Sequence, residues 1–306
     1  MTNLVSNMNE NSRMGFEERR ETASLGGAAG NGLERLCKIG RDGIRVAPTE
    51  AGIERIEANF QGNGFSPHRH DTYAIGLTLH GVQRFKYRGA ERASCPGQVI
   101  VIHPDEVHDG GAGTETGLRY RMMYIPPEMI AEALGGKALP HVSTPVLTDP
   151  LFQRSLIEAL QDLDGEMGDL RVSGLLADLA SCLSRFSDDS RPVRRTLDWP
   201  VLKACAAYLK EHAADPIDSG NLEAVSGLER FALSRQFRAA FGTSPHRYQV
   251  MRRLERVKSG LASGECLAAA ATAGGFADQS HMSRHFKRAF GMSPGKWRQL
   301  NAASLA

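Results

Sequence analysis

The chain has 306 residues, of which 41% are hydrophobic and 24% are charged, a composition typical of a globular protein with room for two domains. The net charge is only +2, but residues 191–306 hold 18 Lys and Arg against 9 Asp and Glu, so this part carries +9 and the rest −7. This asymmetry excludes a uniformly basic protein and predicts a C-terminal part that faces nucleic acid. No apolar run approaches the roughly 18 residues that span a bilayer, so we expect no membrane partner.

The five cysteines are scattered and include no C-x-x-C pair. This spacing predicts neither a disulfide framework nor a zinc site, and it favours a reducing, cytoplasmic location. Residues 1–38 are rich in Asn, Glu, Arg and Gly and lack the apolar core of a signal peptide, which predicts a flexible tail.

Residues 39–148 change to short strand-like runs, at 53–56, 73–79, 83–87, 99–102 and 118–125. Turn residues punctuate these runs, including the glycines of 62–64, 80–81, 88–89, 96–97 and 110–111. Closely spaced short strands with glycine turns predict a β-sandwich or small barrel.

Two fragments narrow this fold prediction. The sequence Pro67-His68-Arg69-His70 precedes a strand, and the histidine-rich segment 96–108 follows about 25 residues later. Together they resemble the two cupin motifs of a jelly roll, and the region is similar to the ligand-binding domain of AraC-type regulators. The resemblance implies a barrel that holds a small organic effector.

Inward-facing strand residues and the motif histidines are the candidate lining of this pocket, because side chains alternate along a strand. The candidate effector-binding residues are polar and would suit a polar or anionic ligand: His68, His70, Tyr73, Arg84, His108 and Tyr120. Each could instead be a structural residue.

A metal is the alternative occupant of the barrel. His68, His70 and His108 match positions at which metal-dependent cupins carry histidine ligands, and neutral imidazoles can hold Zn, Fe, Mn or Ni. The glutamate ligand of those proteins is missing, since Ala74 or a neighbour occupies its region. We therefore predict no resident metal or cofactor.

The segment 149–187 contains two helical patterns. In the first, Phe152, Leu156 and Leu160 recur at helical spacing, and a leucine-rich pattern follows from 175 to 186. The pattern predicts helices that cover the barrel, and the resemblance implies that they pair two subunits into a homodimer. The polar, proline-broken segment 188–197 is the predicted linker to a domain at 198–306.

A twelve-residue sequence occurs twice in that last domain, at 234–245 and at 283–294, with eight identical positions at an offset of 49 residues. Phe237 and Phe241 in the first copy, and Phe286 and Phe290 in the second, lie on one apolar stripe of a helix. A glycine that suits a helix end and a Ser-Pro pair that starts another helix follow each copy. The duplication predicts one supersecondary unit used twice.

A short helical pattern and a glycine-bearing turn precede each copy, which is the order of a helix-turn-helix motif. The segments 229–242 and 275–294 resemble the double helix-turn-helix of the AraC/XylS transcriptional regulators. The resemblance implies two reading helices joined by a long helix over 245–262. Candidate DNA-binding residues lie off the apolar stripes: Arg230, Phe231, Ser234, Arg235, Arg238, Gln279, Ser280, Ser283, Arg284 and Lys287. The alternative is two ordinary amphipathic helices with solvated polar faces.

Three residues depart from the family pattern. Glu223 stands where the first support helix usually has a small residue, and Ala270 and Gly274 stand where the second usually has branched apolar residues. These small residues predict a looser second unit.

The sequence thus predicts an α+β multidomain protein, with an N-terminal cupin-like β jelly roll and a C-terminal all-α double helix-turn-helix domain. The predicted function is a ligand-responsive, sequence-specific regulator of transcription, with double-stranded DNA and a small-molecule effector as partners. Activation is the commoner outcome in the family, which adds RNA polymerase to the expected partners.

A metal-dependent cupin enzyme tethered to DNA is the alternative, but no carboxylate stands at the expected ligand position. A DNA-repair protein would need a nucleophilic cysteine in a family-specific context, and none of the five cysteines has one.

Overall fold

The computed structural model describes residues 42–188 and 197–303, the last two by their backbone alone. The predicted tail at 1–38 and all but the ends of the predicted linker at 188–197 lie outside the described residues.

The N-terminal domain is built on two antiparallel sheets, as the strand pattern predicts. The strands are β1 Gly43–Val46, β2 Glu54–Phe60, β3 Asn63–His68, β4 Tyr73–His80, β5 Gln83–Tyr87, β6 Ala90–Ser94, β7 Val99–Ile102, β8 His108–Ala112, β9 Leu118–Ile125 and β10 Val146–Leu147. One sheet has the order β1-β2-β9-β4-β7-β10 and the other the order β3-β8-β5-β6. We call this the sandwich domain.

Side chains of the larger sheet alternate between two cores, because successive strand residues point to opposite faces. Ala74 of β4 packs between the sheets, in a cluster that includes Phe85 of β5 and Tyr120 of β9. Tyr73 and Ile75, its neighbours along β4, belong instead to the core on the outer face of the sheet.

The sequence patterns miss five strands, β1, β3, β6, β8 and β10, of which β3 and β8 pair with each other. The glycines at 110–111 are predicted as a turn, yet they lie inside β8. A Cβ at Gly111 would stand 2.9 Å from the Gly62 carbonyl oxygen. Glycine therefore permits a close strand approach at this position, and a glycine pair gives no alternating hydrophobic signal.

Three helices cover the outer face of the larger sheet: α1 Pro127–Ala133, α2 Pro150–Leu160 and α3 Asp169–Arg185. Phe152 of α2 and Leu179 of α3 are fully buried in the outer core, as the predicted stripes require. The Arg55 guanidinium of β2, also buried, donates to the carbonyl oxygens of Asp162 (2.8 Å) and Gly165 (2.7 Å) and so fixes the loop between α2 and α3.

The C-terminal domain, which we call the helical domain, is all α over its described residues. Its helices are α4 Trp199–Glu211, α5 Ser219–Ser226, α6 Arg230–Phe241, α7 Pro245–Ala262, α8 Leu267–Ala273, α9 Gln279–Phe290 and α10 Pro294–Ala303. The two predicted reading helices are α6 and α9, and the predicted joining helix is α7. Among the described helices, none is both long and apolar enough to cross a membrane.

The repeat forms two units with matching helix ends. Gly242 after α6 and Gly291 after α9 adopt the left-handed conformation, with φ of 69° and 70°. The Ser244 side chain accepts a hydrogen bond from the Arg247 amide and caps α7, with Pro245 in the first turn. These are the caps that the duplicated Gly-x-Ser-Pro sequence predicts.

The three departures from the family pattern have structural explanations. The Glu223 carboxylate accepts a hydrogen bond from the Arg230 amide (2.8 Å) and so caps the first turn of α6. A Cβ at Gly274 would lie 2.7 Å from Cγ2 of Val257 on α7, and Ala270 is buried. The small residues therefore let α8 approach α7 closely, and the expectation of a looser second unit is wrong at this contact.

The second unit depends on Phe286, which is fully buried against Phe290 (4.6 Å between ring centroids) and Trp297 (6.2 Å). We expect Phe286→Ala to lower the free energy of unfolding by about 3–5 kcal/mol, because it removes a buried aromatic ring and leaves a cavity. Urea denaturation followed by circular dichroism measures this loss.

Phe231→Ala is the matched control, because Phe231 lies on the other reading helix and is 66% exposed. We expect this variant to unfold at the wild-type midpoint. Equal stability of the two variants would show that the apolar stripe of α9 is misassigned.

Candidate functional site

The predicted DNA-contacting side chains lie on the outside of the two reading helices. Eight of the ten are exposed, and the two serines Ser234 and Ser283 are half-buried. The stripes on the opposite faces hold Phe237 and Phe286, both fully buried. This arrangement leaves the polar faces of both reading helices open to a partner.

The N-terminus of each reading helix carries an acidic cap. Glu229 accepts hydrogen bonds from the Phe231 and Ala232 amides, and Asp278 accepts one from the His281 amide (2.6 Å). The hydrogen bonds from the His281 and Ser280 amides hold the pKa of Asp278 below its usual value. These caps fix where each reading helix begins, which sets the position of the side chains in its first turns.

The C-termini of the reading helices dock on the sandwich domain. A Cβ at Gly242 would stand 2.6 Å from Cβ of Pro104, and one at Gly291 would stand 2.8 Å from Nδ1 of His68. Both positions therefore require glycine for two reasons, a left-handed φ and a close contact with the other domain. The two segments they touch are the two cupin-like motifs of the sequence.

Hydrogen bonds reinforce the contact of α9. The Ser66 amide donates to the Gly291 carbonyl oxygen (2.8 Å), and the Arg69 amide donates to the Arg288 carbonyl oxygen (3.0 Å). The end of β3 thus pairs with free carbonyls in the last turn of a helix, which are otherwise left without partners. The Arg247 guanidinium of α7 adds an ion pair with Asp105 of the second motif.

A cavity of about 890 Å³ lies between the two domains. Its wall from the helical domain includes Tyr248, Arg252 and Glu255 of α7, together with Phe290 and Trp297. Its wall from the sandwich domain includes residues of β1, β2, β3, the loop after β3, β9 and α1: Ile44, Glu54, Phe65, His68, His70, Asp71, Tyr124 and Glu128. The volume is in the range of small-molecule sites in proteins.

Buried ion pairs cross this cavity from α7 to the sandwich domain. The Arg252 guanidinium lies 2.7 Å from Asp71 across the cavity and 3.0 Å from Glu255 on its own helix, and its central carbon lies 4.4 Å from the centroid of the Tyr248 ring. Lys258 donates to Glu54 (2.6 Å). Breaking a buried pair by removing one partner costs far more than an exposed pair contributes, so the lining charges also hold the two domains together.

Desolvation raises the pKa values of three acidic groups in the wall, Asp71, Glu128 and Glu255. Burial raises the pKa of Glu255 to about 7, and the opposing charge of Arg252 only partly offsets it. The Glu255 side chain is 49% exposed, but it lines the cavity, where surrounding protein shields it from bulk water. Burial also raises the pKa of Glu128 and of Asp71. The cavity therefore disfavours additional negative charge.

Several buried polar atoms of the wall have no hydrogen-bond partner among the described residues. They are three acceptors and one donor that belong to cavity-lining residues: His70 Nε2, Asp71 Oδ1, Glu128 Oε2 and Arg252 Nε. Buried polar groups in proteins are nearly always paired. Their concentration around one cavity indicates a site for a polar molecule.

The structure brings three of the six predicted effector residues together. His68, His70 and His108 offer ring nitrogens that all lie within 4.8 Å of one another. Burial, followed by the charge of His108, lowers the pKa of His68 to about 3, and burial likewise lowers those of His70 and His108. These three imidazoles are therefore neutral at physiological pH.

The other three predicted effector residues lie elsewhere. Tyr120 faces a second cavity of only about 30 Å³ inside the sandwich, too small for an organic effector. Tyr73 lies in the outer core, where its hydroxyl donates to the Pro140 carbonyl (3.1 Å), and Arg84 is an exposed partner of Glu91. The prediction that these three line the effector pocket is not met, because the strand alternation directs Tyr73 outward and Arg84 to solvent, and side chains fill the barrel interior.

The sequence analysis missed the contribution of α7 to the cavity. Tyr248, Arg252, Glu255 and Ser259 recur at spacings of four, three and four residues, which places them on one helix face. A charged face on the helix between two reading units is the signal that could have identified them. The sequence-based prediction gives this helix only the role of joining the two reading units.

Comparison with known proteins agrees with this two-part organisation. Residues 50–180 match the family described as the AraC-like ligand binding domain, and residues 222–300 match a helix-turn-helix domain family. The first match covers most of the sandwich domain, and the second covers both reading helices. These are the two domains of a ligand-responsive, DNA-binding regulator, and neither supports the cupin-enzyme alternative.

The similar proteins are regulators as well. The chain is 28% identical to the uncharacterized HTH-type transcriptional regulator YbfI of Bacillus subtilis, over 71% of this chain and 81% of that protein. It is 27% identical to the arabinose operon regulatory protein of Escherichia coli, over 81% and 88%. The structure of ToxT from Vibrio cholerae superposes with a TM-score of 0.58 at 12% identity, covering 84% of this chain and 98% of that one, which shows a shared fold. The chain belongs to the AraC/XylS family of transcriptional regulators.

Proposed function

We propose that this regulator binds its effector in the cavity between its two domains, and that the effector controls DNA binding by changing how the reading helices are held. The observation that carries this proposal is that the cavity walls and the docking contacts share residues. His68 lines the cavity and also touches Gly291 at the end of α9.

The mechanism is a shift between domain arrangements. A ligand can bias an equilibrium only through its different affinity for the two states. A molecule that bridges Asp71 or Glu128 of the sandwich domain and Arg252 of α7 favours the arrangement in which these walls are close. Gly242 and Gly291 both pack on the sandwich domain. The domain arrangement that the ligand favours therefore also fixes the separation of α6 and α9.

The reading helices recognise DNA by two kinds of contact. Arg235 and Arg284 are exposed in the first turns of α6 and α9, and arginine is the commonest specific reader of guanine in the major groove. Phe231, Ser234, Gln279, Ser280 and Ser283 supply further contacts to bases or sugars. Arg230, Arg238 and Lys287 neutralise phosphates.

The effector brings several hydrogen-bond donors, as a neutral polyol or an amine does. Apart from the histidine nitrogen, two of the three unpartnered atoms in the cavity wall are acceptors, on Asp71 and Glu128, and the raised pKa values of Glu128 and Glu255 disfavour an additional anion. Phe290 and Trp297 supply an apolar wall for the rest of the molecule. A structure of ToxT contains an unsaturated fatty acid, but an anionic headgroup fits the present cavity poorly.

A homodimer forms through the helices that cover the sandwich. Three of the large apolar side chains that stay exposed lie on α2 and α3: Leu151 (60%), Ile157 (46%) and Leu170 (88%). Exposed apolar groups clustered on one pair of helices favour a protein contact. The small exposed residues Ser173, Ala177 and Ser181 on α3 allow close approach of a second helix.

The regulator activates transcription, which is the commoner outcome in this family, and RNA polymerase is then its further partner. The similar proteins are bacterial, and a protein that reads a bacterial chromosome acts in the cytoplasm.

The DNA-reading role is tested by selection of bound duplexes from a random pool. We expect the wild type to enrich a motif with two half-sites, and Arg284→Ala to lose preference at one base position at a cost of about 1–3 kcal/mol. Lys287→Ala is the comparison, and we expect it to weaken binding on all sequences and to reduce the salt slope by about one. If Arg284→Ala also weakens binding to all DNA sequences equally, Arg284 contacts phosphate only.

The effector site is tested by measuring the change in unfolding temperature of the protein on addition of each compound in a panel of sugars, polyols, amines and fatty acids. We expect a donor-rich compound to stabilise the wild type and to bind Glu128→Gln about tenfold more weakly, because a hydrogen bond to a charged group is lost. Glu132→Gln is the control, since Glu132 lies one turn on along α1, outside the cavity, and is 69% exposed. A panel in which only fatty acids stabilise the protein contradicts the proposed ligand chemistry.

The dimer is tested by sedimentation velocity. We expect the double substitution Ile157→Asp with Leu170→Asp to give monomers, because charge opposes burial of these positions. Val107→Asp is the control, because Val107 is 48% exposed but lies outside α2 and α3. A double variant that sediments like the wild type places the interface elsewhere.

A further inference from the structure

Three histidines stand between the interdomain cavity and the small cavity inside the sandwich domain. His68 and His70 line the large interdomain cavity, and His68 and His108 line the small inner one. They come from β3, the turn after it and the start of β8. The ring centroids of His68 and His108 are 4.2 Å apart, and those of His70 and His108 are 4.9 Å apart.

All three rings are oriented in the same way by the backbone. Nδ1 of His68 lies 2.9 Å from the Ser66 carbonyl oxygen, that of His70 2.9 Å from the Thr72 carbonyl oxygen, and that of His108 3.0 Å from the Glu106 carbonyl oxygen. A carbonyl oxygen only accepts, so each Nδ1 carries the proton. Each neutral ring then has its lone pair on Nε2.

This orientation matches the outer shell of metal-binding histidines. Such histidines donate the proton of one ring nitrogen to a carbonyl or carboxylate, which fixes the tautomer and directs the other nitrogen to the metal. Only 6% of the His70 surface is exposed, and its Nε2 has no hydrogen-bond partner among the described residues.

We propose that His68, His70 and His108 bind one divalent transition-metal ion of the Zn²⁺ type. Three imidazoles without a carboxylate or thiolate suit such borderline ions and not Mg²⁺ or Ca²⁺. Tetrahedral coordination at about 2.0–2.1 Å places ligand nitrogens roughly 3.4 Å apart. The ring nitrogens now lie within 4.8 Å of one another, so small side-chain rotations close the site.

The fourth coordination position faces the interdomain cavity, because His68 and His70 form part of its wall. Three protein ligands with one open position are the arrangement of zinc sites whose fourth ligand is water or a small molecule. Residues on either side of His68 also donate the hydrogen bonds that hold the end of α9. A bound ion therefore fixes the part of β3 on which the second reading helix rests.

The test is metal titration of the full-length protein after removal of metal by a chelator. We expect one equivalent of Co²⁺ to bind with the intense visible bands of a low-coordinate site, and Zn²⁺ to displace it. His70→Asn and His108→Asn should each weaken Zn²⁺ binding at least about 100-fold.

The control is a second histidine pair on the helical domain. His281 and His285 are one turn apart on α9, with ring centroids 4.7 Å apart, and such a pair can bind metal at a surface. We expect the variant His281→Ala with His285→Ala to keep the Co²⁺ spectrum and the stoichiometry. Loss of binding in this variant, or a wild type that binds Zn²⁺ no more tightly than His70→Asn, overturns the proposal.

One measurement needs no substitution and so does not depend on the folding of variants. Crystals of the wild type soaked in Zn²⁺ should show one anomalous scattering peak among the three Nε2 atoms. Peaks confined to the surface, or no peak at this position, likewise overturn the proposal.

Discussion

The contact of two left-handed glycines with the sandwich domain is the constraint on which the rest of the structure depends. Gly242 and Gly291 end the two reading helices at equivalent positions of the repeat, and each packs so closely on the sandwich that a Cβ would collide. Glycine at a helix end usually serves φ alone. Here it also makes the helix end a docking point, so a single position ties the geometry of DNA reading to the other domain.

The charges between the domains oppose this docking as well as support it. Arg252 pairs with Asp71 and Glu255, but burial raises the pKa of both carboxyl groups. The free-energy cost of desolvating these charges thus offsets much of the stabilisation that the ion pairs contribute. A cavity lined by such partly compensated groups is a weak point in an otherwise packed interface, and a ligand that pairs them changes the stability of the interface with few contacts.

The sequence predicts the helical domain better than the sandwich. Helix caps, apolar stripes and glycine ends are local signals, and a duplicated copy repeats each of them, so α7 has the predicted limits and α6 and α9 end at the predicted glycines. The cavity depends on non-local contacts. Asp71 and Arg252 are 181 residues apart, and neither has a local pattern that indicates the other. Tyr73 and Arg84 show that the same difficulty exists within the sandwich. Alternation along a strand shows that its side chains point to two faces, but it does not show which face lies inside the fold.

The position of the docking points restricts how regulation can work. Each reading helix has twelve residues, or about 18 Å of length, with the proposed base-reading side chains in its first turns and the docking glycine just past its end. In the docked state Arg235 and Arg284 remain exposed, so the sandwich domain does not prevent DNA binding by covering them. What docking can control is the distance and angle between α6 and α9. Two helices that must enter successive segments of one groove tolerate little error in that relation, and a rigid body that touches both of their ends is suited to set it.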